Sequence, residues 1–180
     1  GVTGRQLSVL DELKNLLGLD KLPEYIESYD ISNLAGADNV AGMVVFENAR
    51  PLKSAYRKFK IKSFSGQDDY ASMAEVIERR ILRYFEEKDT GEGFGRLPDL
   101  ILLDGGKGHV SVAKQLMSQM GIDIAVYGMV KDDYHKTRAL CTENEEINIA
   151  KLRSVFMLIY GIQEEVHRFS VSKTTNAKRK

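Results

Sequence analysis

The apolar residues fall into short blocks whose spacing changes along the chain, and each change marks a different element. Leu7, Leu10, Leu13, Leu16 and Leu17 recur at helical steps and stop at Gly18, so residues 6–18 are predicted to form a short amphipathic helix packed on the rest of the molecule. YIESYDIS, VAGMVVFENA and AYRKFKIKSF follow, three β-prone runs joined by segments rich in Gly, Asn, Ala and Pro. Their simplest arrangement is a three-stranded antiparallel meander. After Gly66, Met73, Val76, Ile77, Ile81, Leu82 and Phe85 return to three- and four-residue steps, which predicts a helix over 69–87. The polar, Gly-rich KDTGEGFGRLP then leads into DLILLD, a continuous apolar run that reads as a buried parallel strand. GGKGH opens a second helix over about 109–120, with a strand near 124–130, a polar irregular stretch, and a last helix over about 150–168. The order βββαβαβα implies a mixed sheet flanked by helices, an α/β three-layer fold.

Length adds that one domain is expected, since 180 residues fit the usual roughly 100–200 per domain. The chain divides into a leader helix over 1–20, the domain over 21–170, and a basic tail over 171–180; from Ser170 the polar SVSKTTNAKRK reads as frayed or a linker. With 43% apolar and 29% charged residues the composition is that of an ordinary globular domain. No apolar run approaches bilayer length and no signal sequence opens the chain, so a soluble, cytoplasmic domain with no membrane contact is expected. The single cysteine, Cys141, has no partner for a disulfide or a zinc site and reads as a half-buried thiol. Twenty-six basic residues balance 26 acidic ones, so any affinity for a polyanion must come from local clusters.

Three residues stand out chemically. Asp30 lies within an otherwise apolar strand, where a carboxylate loses hydration unless it is paired, hydrogen-bonded or bound to a metal; the other reading is a strand-end cap of the turn into SNLAG. Asp104 ends an apolar strand and precedes GGKG and a helix, the place where open α/β sheets present ligands, although a plain strand-to-helix turn has the same look. There the glycines permit close approach and Lys107 adds a positive charge near the helix start. DGGKGH lacks the spacing and the Ser or Thr of a phosphate-binding P-loop, which excludes that class. His167 sits beside the apolar face of the last helix, edging a cleft or simply packed. Glu164 and His167 make one E-x-x-H, too few for a di-iron bundle.

Basic residues gather in two places. Alternation along AYRKFKIKSF sets Lys58, Lys60 and Lys62 on one face and Phe59 and Ile61 on the other. Arg79, Arg80 and Arg83 form a second group on the next helix. Either a solvated face or a nucleic-acid surface is compatible with both groups. Asp68 and Asp69 read as a cap for that helix, and His109 and His135 as locally polar residues.

YDIS, DDYASM, DGGKG and EEVHRF, in this order within about Leu22 to Lys173, resemble the C-terminal endonuclease domain of UvrC, the incision subunit of bacterial nucleotide excision repair. The resemblance implies a ribonuclease-H-like fold with Asp30, Asp104 and His167 as the catalytic set, and gives Asp69 of the DDY motif a lesser place. It also implies Mg²⁺ or Mn²⁺ on Asp30 and Asp104, with His167 completing the metal site or moving a proton. Damaged double-stranded DNA is the implied substrate, with Lys58, Lys60, Lys62, Lys107, Arg79 and Arg80 as candidate contacts. UvrB is the implied partner, met through segments outside this chain, and the fragment is expected to be monomeric. Two departures from the family pattern are His109 in place of a common Gln and Arg153-Ser154 in place of Ser-Pro. Another ribonuclease-H-like nuclease, such as a resolvase or RNA-cleaving enzyme, and a non-catalytic DNA- or protein-binding module are the competing readings.

Overall fold

The computed structural model describes residues 2–33, 39–62 and 68–173. Helix α1 (Gly4–Leu17) starts at Thr3, whose hydroxyl and the Gln6 side chain close a reciprocal capping box. It stops at Gly18, which turns left-handed at φ 67°. Strands β1 (Tyr25–Asn33), β2 (Asn39–Glu47), the two-residue β3 (Arg50–Pro51) and β4 (Arg57–Lys60) come next, then α2 (Asp69–Glu87). Asp68 accepts the Ala71 N–H as the cap of α2, as its position before the helical pattern predicts. The chain continues through β5 (Leu100–Leu103), α3 (Lys107–Gln119), β6 (Ala125–Lys131), β7 (Thr137–Cys141), β8 (Glu146–Asn148) and α4 (Arg153–Val171). Among the described residues no helix is long and apolar enough to cross a membrane.

The eight strands of the described residues form one mixed sheet in the order β3-β2-β1-β5-β6-β7-β8, with β4 also on β2. β1 and β2 pair antiparallel and β4 returns along β2, which is the expected meander. LILL is the parallel strand between β1 and β6 that its continuous apolar character indicates. The stretch after Lys131 departs from expectation: it holds an antiparallel β7–β8 pair rather than irregular chain. Five residues and three residues, interrupted by Arg138, give too little alternation to register as strands. Cys141, on β7, is fully buried rather than half-buried, and burial pushes its thiol pKa up.

Helices α2 and α3 cover one face of the sheet, where Tyr29, Met43, Ile101 and Leu103 meet Met73, Ile77 and Val110. Helices α1 and α4 cover the other, where Leu13, Ile26, Val44 and Leu102 meet Ile159, Ile162 and Val166. The predicted leader therefore belongs to a core. At the end of α4 the helix lies on β2 without space for a side chain: a Cβ on Gly42 would fall 2.8 Å from both Cα and Cβ of Ser170. Gly42→Ala should accordingly destabilise the chain by about 1–3 kcal/mol and lift the last turn of α4, to be read as a lowered unfolding temperature.

Candidate metal centre

Alternation along β1 puts Tyr25, Glu27 and Tyr29 toward α2, and Ile26, Ser28 and Asp30 toward α4. Asp30 is 6% exposed, within the strand and not a cap at its end. Asp104 follows the last residue of β5, and its N–H donates to the Tyr29 carbonyl at 2.9 Å, which fixes it beside β1. His167 comes down from α4. One potential ligand atom from each of Asp30, Asp104 and His167 lies within 4.8 Å of the others, so the structure brings the three residues together.

Side chains that the sequence reading passed over orient the acids. Ser170 donates to Asp30 Oδ2 at 2.7 Å, and His167 Nδ1 lies 3.1 Å from the same oxygen. Gln163 Nε2 is within 3.5 Å of Asp104 Oδ1, while its own carbonyl accepts from the Thr137 hydroxyl. Lys131 Nζ lies 3.0 Å from Asp104 Oδ2. Gln163, His167 and Ser170 sit at steps of four and three along α4, one helical face. Assigning Ser170 to a frayed tail is corrected here, since α4 runs to Val171 and Ser170 is fully buried. The basic tail itself, beyond Lys173, lies outside the described residues.

Electrostatically Lys131 answers Asp104, and Asp30 is the acid left short of positive charge. Burial first, and then the charge of Asp104, raise the Asp30 pKa to about 6, although the Ser170 and His167 hydrogen bonds pull it down. Two residues earlier on the same face, the buried Ser28 hydroxyl has no hydrogen-bond partner among the described residues. Two close carboxylates and an imidazole are a donor set that a divalent cation fits, because it would offset both the burial and the repulsion that raise the Asp30 pKa.

The remaining candidates spread out. Asp69 is the exposed first residue of α2 and stands outside the three-residue cluster. His109 packs its ring 4.6 Å from that of Tyr70; burial lowers its pKa, with Asp69 and Asp104 opposing. Gly105 yields its space to this ring, since a Cβ there would fall 2.4 Å from His109 Nδ1. Lys107 is exposed at the start of α3, and Lys60 and Lys62 are exposed at and beyond the end of β4. Lys58 is half-buried across Gly42 from Asp30, hydrogen-bonded to Ser172 and 5.1 Å from the Phe169 ring centroid. Arg79 is held by Glu75 and the Lys60 carbonyl. Arg80 overturns its assignment to a DNA surface: it is 1% exposed and its guanidinium is committed to the buried Glu27. The arginine triplet spans two faces of α2, and Arg80 is on the one facing the core.

A profile of the UvrC RNAse H endonuclease domain matches residues 14–171. UvrABC system protein C of Thermoanaerobacter sp. (strain X514) is 52% identical over 173 residues, 91% of this chain and 28% of the relative. The protein of that name from Caldicellulosiruptor saccharolyticus is 53% identical over 165 residues, 92% of this chain and 27% of the relative. The chain thus spans little more than a quarter of the length of these curated relatives. Among solved structures, human ENDOV aligns with 98% of this chain and 84% of its own at 10% identity and a TM-score of 0.42. A match over most of the chain, together with relatives at about half identity, shows that the chain belongs to the UvrC RNase H endonuclease domain family.

Proposed function

We propose that this chain is the phosphodiester-cleaving unit of a UvrC protein: a divalent-cation-dependent endodeoxyribonuclease that makes the 5′-side incision next to a lesion in double-stranded DNA. In this reading it acts in the cytoplasm, in nucleotide excision repair, with UvrB engaged by segments outside this chain. The observation that carries the reading is the contrast between the two faces of β1. Glu27, under α2, is neutralised by the dedicated guanidinium of Arg80; Asp30, under α4, faces a second carboxylate and has an elevated pKa. A buried charge left so poorly compensated is costly without a function that uses it.

Mg²⁺ or Mn²⁺ suits these hard donors; Asp30 and Asp104 are the residues that would hold it, and His167 would either complete the metal site or move a proton. When bound, such an ion supplies Lewis acidity at the attacked phosphate and a water of lowered pKa. The chain's own groups do the rest. Ser170 and Gln163 fix the directions of the two carboxylates. His167 turns Nδ1 toward Asp30, which leaves Nε2 for one of those two tasks, and its 62% side-chain exposure permits either. Lys58, Lys60, Lys62, Lys107 and Arg79 are proposed to hold the DNA backbone, with Asp69 a lesser contributor from the start of α2.

The test uses a full-length UvrABC system protein C carrying this domain, with a lesion-containing duplex and Mg²⁺. Asp104→Asn should lower incision on the order of a thousandfold, from the loss of several kcal/mol of transition-state stabilisation. His167→Ala should lower it by roughly a hundredfold, the usual scale of proton transfer. Folded variants that cut as fast as the wild type would remove the assignment. Proton competition gives a second check on this chain alone. Because the Asp30 pKa stands at about 6, Mn²⁺ affinity should be flat above that pH and fall about tenfold per pH unit below it, as measured by calorimetry.

A further inference from the structure

Lys131 pairs with Asp104 at 3.0 Å and has no place in the reading above. It ends β6, where the pairing with β7 slips: Val130 faces Ala139 and Lys131 faces Thr137, so Arg138 is skipped. That bulge turns Thr137 toward α4, where it reaches Gln163, and sets Lys131 beside it at the rim of the cluster. The ammonium touches Asp104 Oδ2 at 3.0 Å while the side chain stays 34% exposed. It also lines an open groove with His135, Gln163, Glu164, His167 and Arg168.

These positions create a conflict. An ion on Asp30, Asp104 and His167 would lie close to the Lys131 ammonium, and like charges at a few ångströms repel. Gln163, the other partner of Asp104, is 3% exposed and anchored by Thr137, so it is not the group that yields. Lys131 is long, one-third exposed, and free to swing toward the groove. A lysine ammonium is a compact, rotatable point charge that suits phosphate.

We propose that Lys131 is a catalytic residue that alternates between two anions: it neutralises Asp104 before metal binds, and on metal loading it moves to a non-bridging oxygen of the nucleic-acid phosphate in the groove. This rests on the nuclease reading of the same site. No bond to Lys131 forms or breaks; the ammonium keeps its proton and offsets charge building on the phosphate.

The test is Lys131→Met, which keeps the length and removes the charge, with Lys131→Arg alongside and thermal unfolding as a check on folding. In this chain, Lys131→Met should bind Mn²⁺ about threefold to tenfold more tightly than the wild type, because a competing cation is gone. In the full-length protein at saturating Mg²⁺ and damaged duplex, the same variant should incise about tenfold or more slowly in kcat, with Lys131→Arg retaining part of the rate. A lysine that only stabilises the fold would lower the unfolding temperature without raising metal affinity. Unchanged or weaker Mn²⁺ binding, or wild-type kcat in Lys131→Met, overturns the proposal while wild-type incision keeps the nuclease reading. A wild-type protein that no divalent cation activates overturns both.

Discussion

Asp30→Asn is expected to abolish incision and, in the metal-free chain, to raise stability. The first effect follows from the loss of a charged oxygen donor, with a fall on the order of a thousandfold or more in Mg²⁺-dependent cutting. The second follows from the elevated pKa. Because the folded-state value of about 6 lies above the ordinary 3.8, the folded chain binds an extra proton between those values. Wild-type stability therefore falls as pH rises from about 4 to 6, and the full penalty, about 3 kcal/mol, persists above that range. An amide carries no such penalty: its carbonyl can accept from Ser170 and its NH₂ can face His167 Nδ1. Allowing about 2 kcal/mol of the penalty to be recovered, the metal-free variant should unfold roughly 4–8 °C above the wild type at pH 8 and nearly with it at pH 4. Excess Mn²⁺ should stabilise the wild type alone, reversing the order. Calorimetry at two pH values with and without Mn²⁺ decides it; a variant less stable than the metal-free wild type at pH 8 contradicts the reading of Asp30 as a buried, poorly compensated charge.

The same acid shows how far the sequence could be read. A carboxylate on an apolar strand is visible from the residues, and that criterion points to Asp30; applied evenly it points to Glu27 as well. Separating the two requires knowing what lies above each face of β1, which no local pattern carries. The arginine that answers Glu27 is 53 residues away and was grouped with its neighbours as a surface charge. The helices over 69–87 and at the carboxyl end were legible because their apolar periodicity is long, and the parallel character of LILL because both its faces are buried. Lys131 and Thr137 were not legible, since a bulge and two short strands leave almost no periodic trace. Ser170 and Gln163 were within reach: once His167 is placed on a helix, positions four before and three after share its face. What hid Ser170 was its polar neighbourhood, SVSK, which reads as the beginning of a tail.

Arg80→Met should be the most destabilising of the single changes considered, by about 3–5 kcal/mol, because it strands a buried charge. Glu27 and Arg80 side chains are 2% and 1% exposed. The guanidinium binds both Glu27 oxygens, at 3.0 and 2.8 Å, and donates to the carbonyls of Phe94 and Arg96. Methionine fills much of the volume but leaves Glu27 with the Tyr29 hydroxyl alone and two loop carbonyls without donors. At about 2–4 °C per kcal/mol for a chain of this length, the unfolding temperature should drop by roughly 10 °C or more. The double variant Glu27→Met with Arg80→Met removes the stranded charge and should recover most of that loss, though not all, since the two carbonyls and the Tyr29 hydroxyl stay unpaired. Well below its unfolding temperature the double variant should bind Mn²⁺ as the wild type does, because the pair lies on the α2 side of β1 and the acids of the metal centre face α4. A double variant as unstable as Arg80→Met would mean that the hydrogen bonds to the Phe94 and Arg96 carbonyls, rather than the charge of Glu27, are what Arg80 chiefly provides.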